Sequence, residues 1–154
     1  MSREANSHLV LALHELWNTG DLTAIERVYD PRFVAHFPDS SNFPHREGQD
    51  HVRTGITRIR EAFPDWFEEV QDLLVDGDKV VTRYLSTGTH RGEFYGLAPT
   101  GRRIAIREIS IYRIERDRIV EQWCMLDELQ RLRQLGVIED FASATSRCPS
   151  VEAD

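Results

Sequence analysis

Asp127 stands where two sequence patterns meet. It follows the strand-like run Ile119-Val-Glu-Gln-Trp123-Cys-Met125 and directly precedes the amphipathic stretch 128–136, so a strand is expected to end and a helix to begin at this carboxylate. Counting back by twos puts Met125 and Trp123 on one strand face with Asp127, an acid beside a thioether and an indole. Such a carboxylate could serve as a general base or acid. Free aspartate titrates near ~3.9, and burial against apolar side chains would raise that value towards a useful base. A second reading fits equally: the Asp127 side chain caps the following helix, accepting a backbone N–H at the positive end of its dipole.

His36 and His90 are the candidate partners for stabilising a substrate oxygen or relaying its proton. In Phe33-Val34-Ala35-His36-Phe37 the alternation puts Phe33, Ala35 and Phe37 on one face and Val34 and His36 on the other, so His36 points either into a cavity or to an exposed edge. His90 lies in the Gly-rich connection 88–101, where a surface turn and a pocket wall both fit. Glu108 and Ser110 share a strand face and are further candidates for cavity-facing polar groups. His8, His14, His45 and His51 read as solvated helix or loop positions.

Other chemistries lack their usual signatures. The chain contains no His-Glu-x-x-His, Cys-x-x-Cys, Gly-x-Ser-x-Gly or Walker motif. Gly88, Gly92, Gly96 and Gly101 do not form a dinucleotide fingerprint opening a helix, and Asp76-Gly77-Asp78 lacks the distal acid of a calcium loop and reads as a hairpin turn. Activity is therefore expected without an added metal. Cys124, in a strand, and Cys148, in the tail, do not have the spacing of a redox or metal pair.

A net charge of −7, with basic residues interleaved by acids where they cluster at 102–118, argues against a nucleic-acid partner or an anionic membrane. The N-terminal apolar run 9–13 is too short for a signal peptide and no stretch would span a bilayer, so cytoplasmic residence is expected.

Several elements must position these residues. Leu9, Leu13 and Trp17 recur at helical spacing up to Asn18-Thr19-Gly20, and Asp21 can cap a second helix carrying Leu22, Ile25, Val28 and Tyr29. A short strand at 33–37 and a loop at 38–48, open to a role as a lid, precede a third helix with Val52, Ile56, Ile59 and Phe63 on one stripe. Strands follow at 67–75, 79–89, 102–114 and 119–126, then a last helix through Leu129, Leu132 and Leu135. With no crossover helices between those strands, the fold class is α+β: a curved antiparallel sheet with helices on one side, enclosing an apolar pocket. The face of Trp123, Met125 and Asp127 is the expected lining. One domain over 1–140 and a tail over 141–154 account for the chain.

The segments Thr87-Gly-Thr-His90-Arg-Gly92-Glu-Phe94-Tyr-Gly96-Leu-Ala-Pro99-Thr-Gly101-Arg102, Ile119-Val-Glu121-Gln-Trp123 with Asp127, and Gln134-Leu135-Gly136 resemble the SnoaL-like polyketide cyclase family over about residues 5–137. The resemblance implies an NTF2-like cone and a homodimer formed through the sheet. It also implies a cofactor-independent reaction in which the acid matching Asp127 serves as general base and acid for an intramolecular aldol closure of a hydrophobic carbonyl substrate. His90 and Phe94, within the family-like string, join the expected pocket. The same cavity would also suit an isomerase, an epoxide hydrolase, a hydroxylase, or a dimeric small-molecule-binding module without catalysis.

Overall fold

The computed structural model describes residues 2–38 and 46–139. Helix α1 (Arg3–Thr19) starts where Ser2 accepts the Ala5 N–H at 3.1 Å and stops at Gly20, whose φ of 73° only glycine adopts freely. Its stripe of Val10, Leu13 and Leu16 is buried. The second helix is shorter than its apolar spacing suggests. Asp21 caps a 3₁₀ turn (Leu22–Ala24), α2 covers only Ile25–Val28, and Tyr29 is already extended.

Strand β1 (Tyr29–His36) consequently begins earlier than the 33–37 period indicates. The rest of the sheet is β2 (Arg46–Glu47), β3 (Phe67–Asp76), β4 (Lys79–Thr89), β5 (Arg103–Glu115) and β6 (Arg118–Leu126). Spatial order is β2-β1-β6-β5-β4-β3. The run β3 to β6 is the expected antiparallel meander, whereas β1 joins β6 in parallel, a pairing no local pattern announces. Pro31 falls in the irregular stretch between the Tyr29 and Val34 pairings, where a missing N–H does least harm.

The sheet is curved and unclosed. Helix α1 packs against β3 and β4, α3 (Gly48–Ala62) against β1, and α4 (Glu128–Leu135) against β5. The core has two parts. One joins α1, α2 and α3 to Phe33, Tyr112 and Ile119; the other gathers Ile59, Phe63, Trp66, Phe94, Ile104 and Ile106. The connection after β4 is pinned beneath α3, since the Arg91 and Gly92 N–H groups both donate to Ala62 O at 2.9 and 3.1 Å. A Cβ at Gly92 would lie 2.2 Å from Glu61 O, so no larger residue fits without movement.

The loop expected over 38–48 is cut short, because Arg46 and Glu47 form β2 and Gly48 opens α3. Its lid role and the tail 141–154 lie outside the described residues. Among the described residues no helix is long and apolar enough to cross a membrane.

Candidate active site

Strand parity decides which side chains meet. On β5 the inward set is Ile104, Ile106, Glu108, Ser110, Tyr112 and Ile114, all buried, while the alternate residues face out. Register then pairs Ser110 with Cys124 and Tyr112 with Gln122, so Gln122, Cys124 and Leu126 carry the inner face of β6. Trp123 and Met125 are on the other side, 36% and 65% exposed, and the expectation that they line the pocket is corrected accordingly. The error has a physical origin. Apolar side chains stand on both faces of β6, Trp123 and Met125 outside and Cys124 and Leu126 inside, so hydrophobicity alone does not tell which face is inner.

Asp127 lies one residue beyond β6, exposed, where it caps α4: its Oδ1 accepts the Gln130 N–H at 3.0 Å. The capping reading describes its contacts, and it is not part of the cavity wall.

The cavity between sheet and helices holds about 70 Å³, several times the ~10–15 Å³ that one water needs. Leu13, Trp17, Phe37 and Ile59 form its apolar wall, and Arg131 of α4 closes one side. Its polar floor is built by adjacent strands. Tyr84 on β4 and Glu108 on β5 are register partners, and the Tyr84 hydroxyl donates to Glu108 Oε2 at 3.1 Å. The same hydroxyl lies 3.1 Å from Ser110 Oγ, which also accepts from Gln122 Nε2 at 3.1 Å. The Cys124 thiol donates to Glu108 Oε2 at 3.5 Å.

Next to this group is a second one. His14 Nδ1 lies 2.7 Å from Glu68 Oε2, and its Nε2 lies 3.2 Å from Thr82 Oγ1. Trp66 Nε1 donates to the other Glu68 oxygen at 3.2 Å. The His14 ring meets Tyr84 edge to face, with centroids 4.7 Å apart.

Burial governs the electrostatics here. It pushes Glu108 up to about 7, helped by the negative charge of Glu68 and opposed by the hydrogen bonds that Tyr84 and Cys124 give the carboxylate. Burial also drives Tyr84 well above the ordinary phenol value, with neighbouring Cys124 and Glu108 adding to it, so its hydroxyl keeps its proton and stays a donor. Cys124 is pushed up for the same reason and is a thiol, not a thiolate nucleophile.

Of the residues singled out from sequence, Glu108 lines the cavity, and Ser110 lies behind that lining, fully buried and within bonding distance of Tyr84 and Gln122. His90 is fully buried but outside the cavity wall, stacked on Phe63 at 5.3 Å; its Nδ1 accepts the Thr100 N–H at 3.2 Å, and burial lowers its pKa. Phe94 lies behind the wall, with the Arg131 guanidinium 4.9 Å above its ring. His36 is on the outer face, stacked on Trp123 at 5.4 Å and 2.9 Å from Glu121 Oε1.

His14, Glu68, Tyr84 and Cys124 were not anticipated. His14 could have been found, for it lies on the stripe Val10, Leu13, His14, Trp17 and so shares the buried side of α1. Glu68 had no such signal, since β3 is an edge strand with mixed polarity on both sides. Among the described residues no group of three or more His, Cys, Asp or Glu is arranged to hold a metal ion.

Comparison with known proteins converges on one family. The sequence profile of the SnoaL-like polyketide cyclases matches residues 7–135. AclR from Streptomyces galilaeus, described as a candidate hydroxylase, superposes with a TM-score of 0.79 at 29% identity, covering 94% of this chain and 93% of its own. TsrD from Streptomyces laurentii gives 0.78 at 27% identity, covering 90% and 99%. IdmH from Streptomyces antibioticus, described as a candidate polyketide cyclase, gives 0.73 at 33% identity, covering 85% and 98%. No curated protein sequence matches. The cone, its helices and the family match agree: this chain belongs to the SnoaL-like polyketide cyclase family.

Proposed function

We propose that the protein is an acid/base enzyme acting on a hydrophobic carbonyl compound without a cofactor, with intramolecular aldol closure as the reaction. Glu108, in place of Asp127, carries the proton. The observation behind this is a buried carboxyl, poised at about 7 and hydrogen-bonded by Tyr84, on the floor of an apolar-walled cavity.

The chemistry follows from the groups present. A C–H flanked by two carbonyls is already acidic, and ionised Glu108 takes its proton, leaving an enolate. The enolate carbon adds to a second carbonyl of the same molecule, and the resulting alkoxide recovers the proton from Glu108. One proton leaves and one returns, so the product is an isomer of the substrate. Tyr84, which lines the cavity and is backed by Ser110, is placed to donate to the oxygens that carry the transient charge, in a site where burial strengthens such bonds. The apolar wall of Leu13, Trp17 and Ile59 would hold the chain of the substrate and exclude water.

Likeness to AclR favours one second reading, in which the same carbanion adds to dioxygen and is protonated to a hydroperoxide, whose O–O bond a separate two-electron donor must reduce to leave the hydroxylated product and water. Oxygen dependence separates the two. We further propose a homodimer in which the apolar outer sheet face is covered by a second copy. The test of the enzyme reading is substrate loss and product formation, followed by mass spectrometry over β-keto esters and anthraquinone-like polyketides, for wild type and Glu108→Gln. Turnover lost in the folded variant supports it. Tight binding with no turnover by wild type would indicate a binding module.

A further inference from the structure

Glu68 is an unusual side chain to find on the inner side of an edge strand. It is 8% exposed, and both carboxylate oxygens accept bonds from buried donors, His14 Nδ1 at 2.7 Å and Trp66 Nε1 at 3.2 Å. Its backbone is fixed as well: the Glu68 N–H donates to Asn18 Oδ1 at 2.6 Å, and Asn18 Nδ2 returns a bond to Glu68 O at 3.1 Å. Two bonds on the carboxylate and two on the backbone, three of them from side chains of α1, hold this residue beside the cavity, a degree of restraint that packing alone does not require. His14 is braced in turn by Thr82 and, at 3.5 Å, by the Tyr112 hydroxyl.

We propose that the His14–Glu68 couple is a positioning device for Glu108, a fixed charged group that sets which protonation state Glu108 presents to a bound substrate. The inference rests on Glu108 being the proton-transfer group of the proposed function. Glu68 and Glu108 line the same cavity, and the groups between them are in contact: Glu68 holds His14, the His14 ring packs on Tyr84, and Tyr84 bonds Glu108. Two carboxylates in one poorly solvated cavity repel, and Glu68 acts on Glu108 in the direction that holds its proton to higher pH.

The titratable groups facing Glu108 are Tyr84 from β4, Cys124 from β6, Tyr112 from β5, Glu68 from β3, His14 from α1 and Arg131 from α4. Burial keeps both phenols and the thiol protonated. Arg131 is held by Glu128 on its own helix. Glu68, bonded to His14 at 2.7 Å, is thus the cavity-lining acid that acts on Glu108.

The test needs no substrate. Side-chain carboxyl carbons of glutamate are labelled with carbon-13 in the full chain and titrated by NMR, with Glu108 assigned by Glu108→Gln. Glu68→Gln keeps the size and the acceptor for Trp66 but removes the charge; it is expected to move the Glu108 midpoint down by roughly one pH unit, and Glu68→Asp to restore most of it. In the wild type the Glu68 resonance is expected to register a step at the Glu108 midpoint, a reading that stands even where a variant fails to fold. An unmoved Glu108 midpoint in folded Glu68→Gln, or no coupling between the two wild-type resonances, overturns the proposal. Because the readout is a titration, it can fail while turnover by Glu108 stands, and it can succeed where the aldol reading fails.

Discussion

Tyr84 and Glu108 are direct partners in the β4–β5 ladder, and their side chains meet 3.1 Å apart on the floor of the cavity. The pair is therefore a product of strand register, which also places Ser110 opposite Thr82 and Cys124 opposite Ser110. A slip of β5 by one residue would turn Glu108 and Ser110 to the outer face and leave Tyr84 without either.

Glu108→Gln is expected to lower turnover by about 10²–10⁴-fold, the usual value of a positioned base, while Tyr84→Phe should cost less because it leaves the proton carrier in place. Steady-state kinetics on whichever member of the substrate panel reacts would check both. Equal turnover in wild type and Glu108→Gln would remove Glu108 from the mechanism.

Stability should carry the signature of the same carboxyl. Unfolded, Glu108 ionises near its ordinary 4.5; folded, it holds its proton to about 7. Between those values the folded chain binds a proton that the unfolded chain has lost, so this contribution is present below 4.5 and is lost as pH rises to 7, by up to roughly 3 kcal/mol. His90, whose value is lowered by burial, acts in the opposite sense: it destabilises as pH falls below its ordinary range. The difference between wild type and Glu108→Gln isolates the first effect. Denaturant melts from pH 4.5 to 7 are expected to show wild type losing stability relative to the variant, and parallel curves would contradict the buried-acid picture.

Asp127 gives a contrasting prediction. Asp127→Ala removes the α4 cap and should cost about 0.5–2 kcal/mol, whereas Asp127→Asn can still cap and should cost little. Neither should abolish turnover. Urea midpoints and rates measured together would separate a cap from a catalyst.

The outer face of the sheet bears Leu74, Ile109, Ile111, Trp123 and Met125, all exposed, and a ladder line runs from Leu74 through Val81 and Ile111 to Trp123 and His36. In the proposed dimer a second copy covers this face. Sedimentation is expected to give a dimer for wild type and a monomer for Ile111→Glu or Met125→Glu, with the folded spectrum retained. A wild-type monomer at micromolar concentration would remove the second copy from the account.

The fold was legible because its signals are local. Apolar spacing marks α1 and α3, Asp76-Gly77 turns β3 into β4, and alternation marks β5. The site was legible only in part. Glu108 and Ser110 share a strand face in any register, but which face is inner depends on β6 packing, and the apolar residues Trp123 and Met125 favour the outer side. The His14–Glu68 contact joins residues 54 apart through α1 packing on β3, and neither residue carries a sequence sign of the other.

The most direct test of the central claim is exchange of solvent deuterium into the acidic carbon of a bound 1,3-dicarbonyl probe, followed by mass spectrometry against pH. Proton transfer by Glu108 predicts protein-dependent exchange that rises with pH through about 7 and disappears in Glu108→Gln while persisting in Asp127→Asn. Exchange that survives in folded Glu108→Gln and is lost in Asp127→Asn would contradict it and return the catalytic role to the helix cap.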